Sequence, residues 1–189
     1  MICQRAIENK ARQYQKINLY FQDESRFGLF TRNGKALTAI GIKPICPCHQ
    51  VFQSTYLYGA FSPLDGNKFL LELPYCNTDC FEVFLSEFSK QNPEELIVII
   101  LDNGAFHKAN RLIIPENVIL IFLPPYSPEL NPAEKVWAKF KRDFTNRFFE
   151  NLNSIKDYVC KLSQELTVNE VKSITRFSYI FLNPFWTIV

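Results

Sequence analysis

Two apolar runs constrain this chain more than anything else in it: LIVIIL at Leu96 to Leu101 and VILIFL at Val118 to Leu123. Neither run offers a polar side to water at any position. A strand of that kind is covered on both faces, as strands inside a parallel sheet are. A membrane helix needs about 20 such residues, so runs of six are too short to span a bilayer. The rest of the chain therefore has to supply helices to both faces of one sheet.

The flanking segments can do so. INLYFQDESRF (17–27) alternates apolar and polar residues and predicts a strand. QSTYLYGAFSP (53–63) and KFLLEL (68–73) predict two more, joined by an LDGN turn. An Asn33-Gly34 pair marks a hairpin turn after the first strand. Asn77 and Thr78 can cap a helix carrying Phe81, Phe84, Leu85 and Phe88 at helical spacing. DNGAFHKANRL, after the first apolar run, reads as a short turn and helix. Beyond the proline-rich LPPYSPELNP, the residues Val136, Trp137, Phe140, Phe144 and Phe148 form the stripe of another helix, and a last helix is predicted over 153–166. The order β-β-β-α-β-α-β-α predicts an α/β domain, a mixed five-stranded sheet flanked by helices. At 189 residues the chain is long enough for one such domain over 17–189, preceded by an N-terminal helix or linker remnant over 1–16.

Net charge is only +2, so the chain as a whole is no polycation, and any nucleic-acid contact must come from local patches. The start, MICQRAIENK, lacks the apolar core of a signal peptide, which predicts a cytoplasmic protein with no membrane partner. The six cysteines are then read as reduced. CPCH (Cys46, Cys48, His49), together with Cys76 and Cys80, is a weak hint of zinc without the CxxC pairs such sites use.

Three acids fall where strands or loops end: Asp23, with Glu24, closes the first strand, Asp102 closes the fourth, and Glu134 opens the helix after the fifth. Ligands of open α/β sheets gather outside the carboxyl ends of the strands. If the first and fourth strands are neighbours, Asp23 and Asp102 lie side by side. Converging carboxylates repel unless cations hold them together. Oxygen ligands select Mg²⁺ or Mn²⁺, and two such ions can clamp the attacking and leaving oxygens of a phosphodiester. Each acid also has a structural reading. Asp102 can make an Asx-turn with Asn103-Gly104, and Asp23 can be a solvated strand end. With Asn131 as N-cap and Pro132 at N1, Glu134 can occupy the capping-box position.

Three blocks decide between these readings: YFQDESRFGLF (20–30), IVIILDNGAFHKA (97–109) and LPPYSPELNPAEKVWAKFK (123–141). In this order and at this separation they resemble the catalytic domain of IS630/Tc1/mariner superfamily transposases, most closely the IS630 branch. The resemblance covers residues 17 to about 150. It implies an RNase H-like fold and a DDE triad at Asp23, Asp102 and Glu134, holding two Mg²⁺ ions or substituting Mn²⁺. It also implies cleavage of double-stranded DNA at transposon ends and strand transfer into target DNA, with a homodimer acting on two ends. Prolines 124, 125, 128 and 132 would then act as a stiff bracket for Glu134.

His107, Lys108, Lys135, Lys139, Lys141 and Arg142 are the expected nucleic-acid contacts, with weaker support for Arg26, Arg32, Arg147 and Tyr126. Trp137 shares the apolar stripe and is expected in the core. The family's helix-turn-helix units do not fit within residues 1–16, so a separate DNA-binding half is expected. Three rival readings stand beside this one: a nuclease without strand transfer, an inactive or domesticated DNA-binding remnant, and, last, a plain metal-binding or structural α/β domain.

Overall fold

In a computed structural model, the structure describes residues 7, 10–30, 34, 38–43, 50–109 and 111–181. The strands are β1 (Lys16–Gly28), β2 (Ser54–Phe61), β3 (Lys68–Leu73), β4 (Glu95–Leu101) and β5 (Val118–Phe122). The helices are α1 (Thr78–Gln91), α2 (Ala133–Phe144), α3 (Leu152–Glu165), α4 (Val168–Thr175) and the single turn α5 (Ser178–Phe181). Short 3₁₀ turns lie at Ala105–Lys108 and Pro128–Leu130. The sheet order is β3-β2-β1-β4-β5. β1, β2 and β3 form an antiparallel meander, while β4 and β5 add in parallel to β1.

The alternation of β1 and β4 separates two cores. Tyr20, Ile97, Ile99 and Leu101 face α1, where they meet Phe81, Phe84, Leu85 and Phe88. Leu19, Phe21, Leu96 and Val98 face the other way, onto Trp137 and Phe140 of α2, Ile155 and Val159 of α3, and Val171 of α4. The LIVIIL run is thus covered by helices on both faces, whereas VILIFL, expected to be covered likewise, forms the edge strand β5, where only Val118 is fully buried and Phe122 is exposed. Among the described residues no helix is long and apolar enough to cross a membrane.

Several expectations need correction. The segment after Asp102 forms only the 3₁₀ turn Ala105–Lys108. Asp102 accepts the Gly104 N–H and the Asn103 side chain donates to the Leu123 carbonyl, so local polar bonds compete with a helical first turn. Phe148 leaves the α2 stripe because the helix ends at Phe144 and Asn146 takes φ 63°; its ring is exposed. Helix α4 is an element beyond those expected, although TVNE (167–170) carries a capping-box pattern, and both of its reciprocal bonds form. Asn33 of the expected Asn33-Gly34 turn, Arg32 and the CPCH cluster lie outside the described residues. Cys76 is exposed and Cys80 is buried, both as free thiols.

One glycine governs how α2 sits. Gly59 of β2 pairs with Asp23 of β1, and a Cβ there would lie 2.7 Å from both the Trp137 ring and the Phe61 ring. Trp137 is fully buried against that bare backbone and packs edge-on to Phe61. Gly59→Ala is expected to destabilise the domain by about 1–3 kcal/mol through overpacking, read as a lower denaturant midpoint with an unchanged slope in urea unfolding.

Candidate active site

β1 pairs with β4 from Lys16↔Glu95 to Phe21↔Ile100. Asp23 comes two residues after the last pair on β1, and Asp102 two residues after it on β4. Continuing the parallel register therefore sets them at adjacent positions. Each keeps the phase of the residues that face α2. Glu134 sits in the first turn of α2, above the same sheet end. Asp23, Asp102 and Glu134 line one cavity of about 340 Å³, together with Asn103, Tyr126 and Asn131. Among the described residues, no lysine or arginine contributes to its wall.

The three carboxylates are held differently. Asp102 accepts the Gly104 N–H at 2.8 Å and faces His107 Nδ1 at 3.0 Å, both through Oδ1. The Asx-turn expected at Asp102 does form. The His107 hydrogen bond, more than its burial, sets the balance at Asp102 and holds its carboxyl below the ordinary range. Asp23 is pushed well above the ordinary range, first by burial and then by the charges of Glu134, Glu24 and Asp102. Glu134 is exposed at the cavity rim and makes no return bond to a cap residue, so no capping box forms here.

Asn131 does more than the helix cap expected of it. Its side chain is buried, accepts the Ala133 N–H at 3.1 Å and donates to the Gln22 carbonyl at 3.0 Å. It therefore ties the start of α2 to the β1 backbone one residue before Asp23. The signal for this in the sequence is slight: an Asn before Pro announces a helix start, but not its distant partner. Tyr126, fully exposed at the rim, adopts φ 58°, a left-handed conformation uncommon for a large side chain.

The expected DNA-contacting residues do not behave as one group. His107 is a correction. It is 2% exposed, lies between the Phe81 and Phe106 rings, and turns its second ring nitrogen to Glu24 Oε1 at 3.0 Å. Burial lowers its pKa, but the Asp102 and Glu24 hydrogen bonds outweigh that and bring it up to about 9. A residue so enclosed does not present itself to a phosphate. Lys108 donates to the Asn103 side chain and lies over the Phe122 ring. Lys135, Lys139 and Arg142 line a shallow groove between α2 and α4, where Lys139 pairs with Glu170. Lys141 instead lines a cavity with Arg26, Phe30 and Phe52. Arg147 folds back onto the Asp143 carbonyl and the Tyr158 ring. Trp137 is core, as expected.

Residues 18–156 match the sequence profile of the DDE superfamily endonucleases. The chain belongs to that family. A Sinorhizobium fredii (strain NBRC 101917 / NGR234) protein known only as "Uncharacterized protein y4pE/y4sA" is 40% identical over 108 residues, 56% of this chain and 79% of its own length. The fold is shared with the Mos1 mariner transposase. Its paired-end complex with Mn superposes with a TM-score of 0.65 at 14% identity, covering 98% of this chain and 57% of that one. Its strand transfer complex gives 0.63 at 14% identity, covering 92% and 54%. This chain thus spans little more than half the length of the solved transposase chains. The family bears out the expectation of a DDE endonuclease domain, and the fold shared with Mos1 bears out the expected RNase H-like mixed sheet.

The donor set fits a hard divalent cation. It offers carboxylate oxygens and no sulfur, and its half-buried member, Asp23, is crowded by like charge that no described side chain in the cavity wall offsets. Among the described residues no three such side chains close into a ready ligand cage, although all three acids line the cavity. The same crowding has a consequence for stability. Asp23→Asn removes one of the crowded charges and is expected to raise the melting temperature in metal-free buffer at neutral pH. Calorimetric scanning of both proteins in a chelator checks this. Asn131→Asp keeps the acceptor for Ala133 N–H but loses the donor to Gln22. It should cost about 1–3 kcal/mol of unfolding free energy, measured by chemical denaturation.

Proposed function

We propose that this chain is the catalytic half of a DDE transposase, cutting phosphodiester bonds at transposon ends and joining the freed 3′-hydroxyl to target DNA. The observation that carries the reading is the single cavity lined by Asp23, Asp102 and Glu134, one acid from each of the three sequence blocks. These three residues are the proposed catalytic set and the ligands of two Mg²⁺ ions, or of Mn²⁺ in their place. When bound, such ions lower the pKa of water and neutralise charge on the reacting phosphate. Asp23 supplies a carboxylate fixed in the sheet. Asp102 supplies Oδ2, since its hydrogen bonds to Gly104 and His107 both engage Oδ1. Glu134 closes the site from the helix that Asn131 anchors.

DNA would approach over α2. Lys135, Lys139 and Arg142 form a basic groove that begins one residue from Glu134, and Lys141 and Arg26 line the neighbouring cavity. Phosphate attraction of this kind is independent of sequence. Mos1 was captured as a paired-end complex and as a strand transfer complex. By analogy of fold, double-stranded DNA is the partner of this chain, a homodimer holds two ends, and a separate helix-turn-helix half recognises them.

The test is a calorimetric titration of Mn²⁺ into the wild type and Asp102→Ala, followed by nicking of duplex DNA. Saturable binding that Asp102→Ala abolishes, with Mn²⁺-dependent nicking by the wild type alone, is the expected result. Metal binding without any nicking would point to the DNA-binding remnant. Nicking without joining of a pre-cut 3′-end to a second duplex would point to a plain nuclease. No binding by the folded wild type, with or without DNA, would overturn the metal assignment.

A further inference from the structure

We propose that Glu24 and His107 are positioning residues for Asp102, forming a buried bracket behind the sheet that holds one carboxylate oxygen still so that the other faces the cavity. The inference rests on the metal-dependent reading above and deepens it. Glu24 follows Asp23 in β1, so its side chain leaves the opposite face of the sheet. There Glu24 Oε1 accepts from Gln22 Nε2 at 2.7 Å and faces His107 Nε2 at 3.0 Å. His107 Nδ1 lies 3.0 Å from Asp102 Oδ1. Neither Glu24 nor His107 lines the cavity of the three acids.

The chemistry of the bracket is narrow. Each ring nitrogen of His107 faces one carboxylate oxygen, so a single imidazole bridges Glu24 to Asp102. Its ring cannot swing away, because Phe81 and Phe106 lie 4.5 and 4.0 Å from it, centroid to centroid. Asp102 needs such a hold. It lies beyond the last residue of β4 and its side chain is 58% exposed, whereas that of Glu24 is only 8% exposed. A carboxylate free to rotate would lose side-chain entropy on binding a cation, and a carboxylate already held does not. Partners behind a ligand typically change metal affinity by about 10–100-fold.

Two substitutions separate positioning from packing. In His107→Asn the amide can replace Nδ1 and still donate to Asp102. In His107→Gln the amide reaches toward Glu24 and leaves Asp102 without that donor. Mn²⁺ affinity is measured by titration calorimetry and by the electron paramagnetic resonance of bound Mn²⁺, alongside a thermal melt of each protein. His107→Gln is expected to bind Mn²⁺ about 10–100-fold more weakly, and His107→Asn close to the wild type. Equal affinity in His107→Gln and the wild type would overturn the inference. So would equal weakening of both variants in step with lost melting temperature. Should His107→Gln fail to fold, Glu24→Ala gives the same test from the other side. It should weaken Mn²⁺ binding, and Glu24→Gln, which keeps the acceptor, should restore it; an unchanged affinity in Glu24→Ala overturns the inference. Absence of Mn²⁺ binding by the wild type would overturn the metal reading itself, an outcome distinct from a wild type that binds and a His107→Gln that binds equally well.

Discussion

The parallel pairing of β1 with β4 underlies everything else in the site. It joins residues nearly eighty positions apart in the chain and does so by backbone hydrogen bonds in a fixed register. Once Phe21 stands opposite Ile100, the next residues on the two strands bring Asp23 and Asp102 together without further adjustment. A slip of one residue would turn one of the two acids to the face of α1. The apolar alternation of both strands forbids that slip, because it would also exchange the residues of the two cores.

The third acid depends on a different kind of contact. Glu134 belongs to a helix, and a helix on a sheet can slide or rotate unless something pins it. Two features do so at its first turns. Asn131 bonds both the helix backbone and the β1 backbone, and Trp137 settles onto the bare surface of Gly59, the residue paired with Asp23. One anchor ends on β1 at Gln22 and the other on β2 at Gly59, the positions beside and opposite Asp23. The prolines of 124–132 limit the loop that leads into this arrangement, and Tyr126 absorbs the remaining turn in a left-handed conformation.

Electrostatically the site is a compromise. Among the described residues its wall contains three acids and no basic side chain, and burial of Asp23 sharpens the repulsion. A protein selected for stability alone would place an amide or an apolar residue there. On the opposite face, His107 touches Asp102 and Glu24 but does not enter the cavity. His107 thus ties Asp102 to Glu24 from behind the cavity, whose wall keeps its three acids and no basic side chain among the described residues. The lysines and arginine of α2 lie outside the rim, where they suit a polyanion that spans the cavity.

Much of this was legible in the sequence. LIVIIL announced a strand covered on both sides, the three hairpin strands were readable from alternation, and the positions of Asp102 and Glu134 followed from where elements end; VILIFL proved to be a partly covered edge strand, and Asp23 lies inside β1, which runs on to Gly28 because its second half pairs with β2. Local rules also reached the Asx-turn at Asp102 and the cap at Asn77. They did not reach the partners of side chains that act across the fold. His107 reads as a surface residue of a short helix, yet it is buried because α1 brings Phe81 over it and β1 brings Glu24 beneath it. Asn131 reads as an ordinary cap, but its second bond goes to the Gln22 carbonyl, 109 residues away. Hydrophobic period and turn chemistry are short-range properties, so the sequence by itself determined the five strands, the main helices and the placing of Asp102 and Glu134 at element ends. Which polar groups meet across the sheet is settled only when distant elements pack, and that left the hold on Asp102 and Glu134 to the tertiary structure.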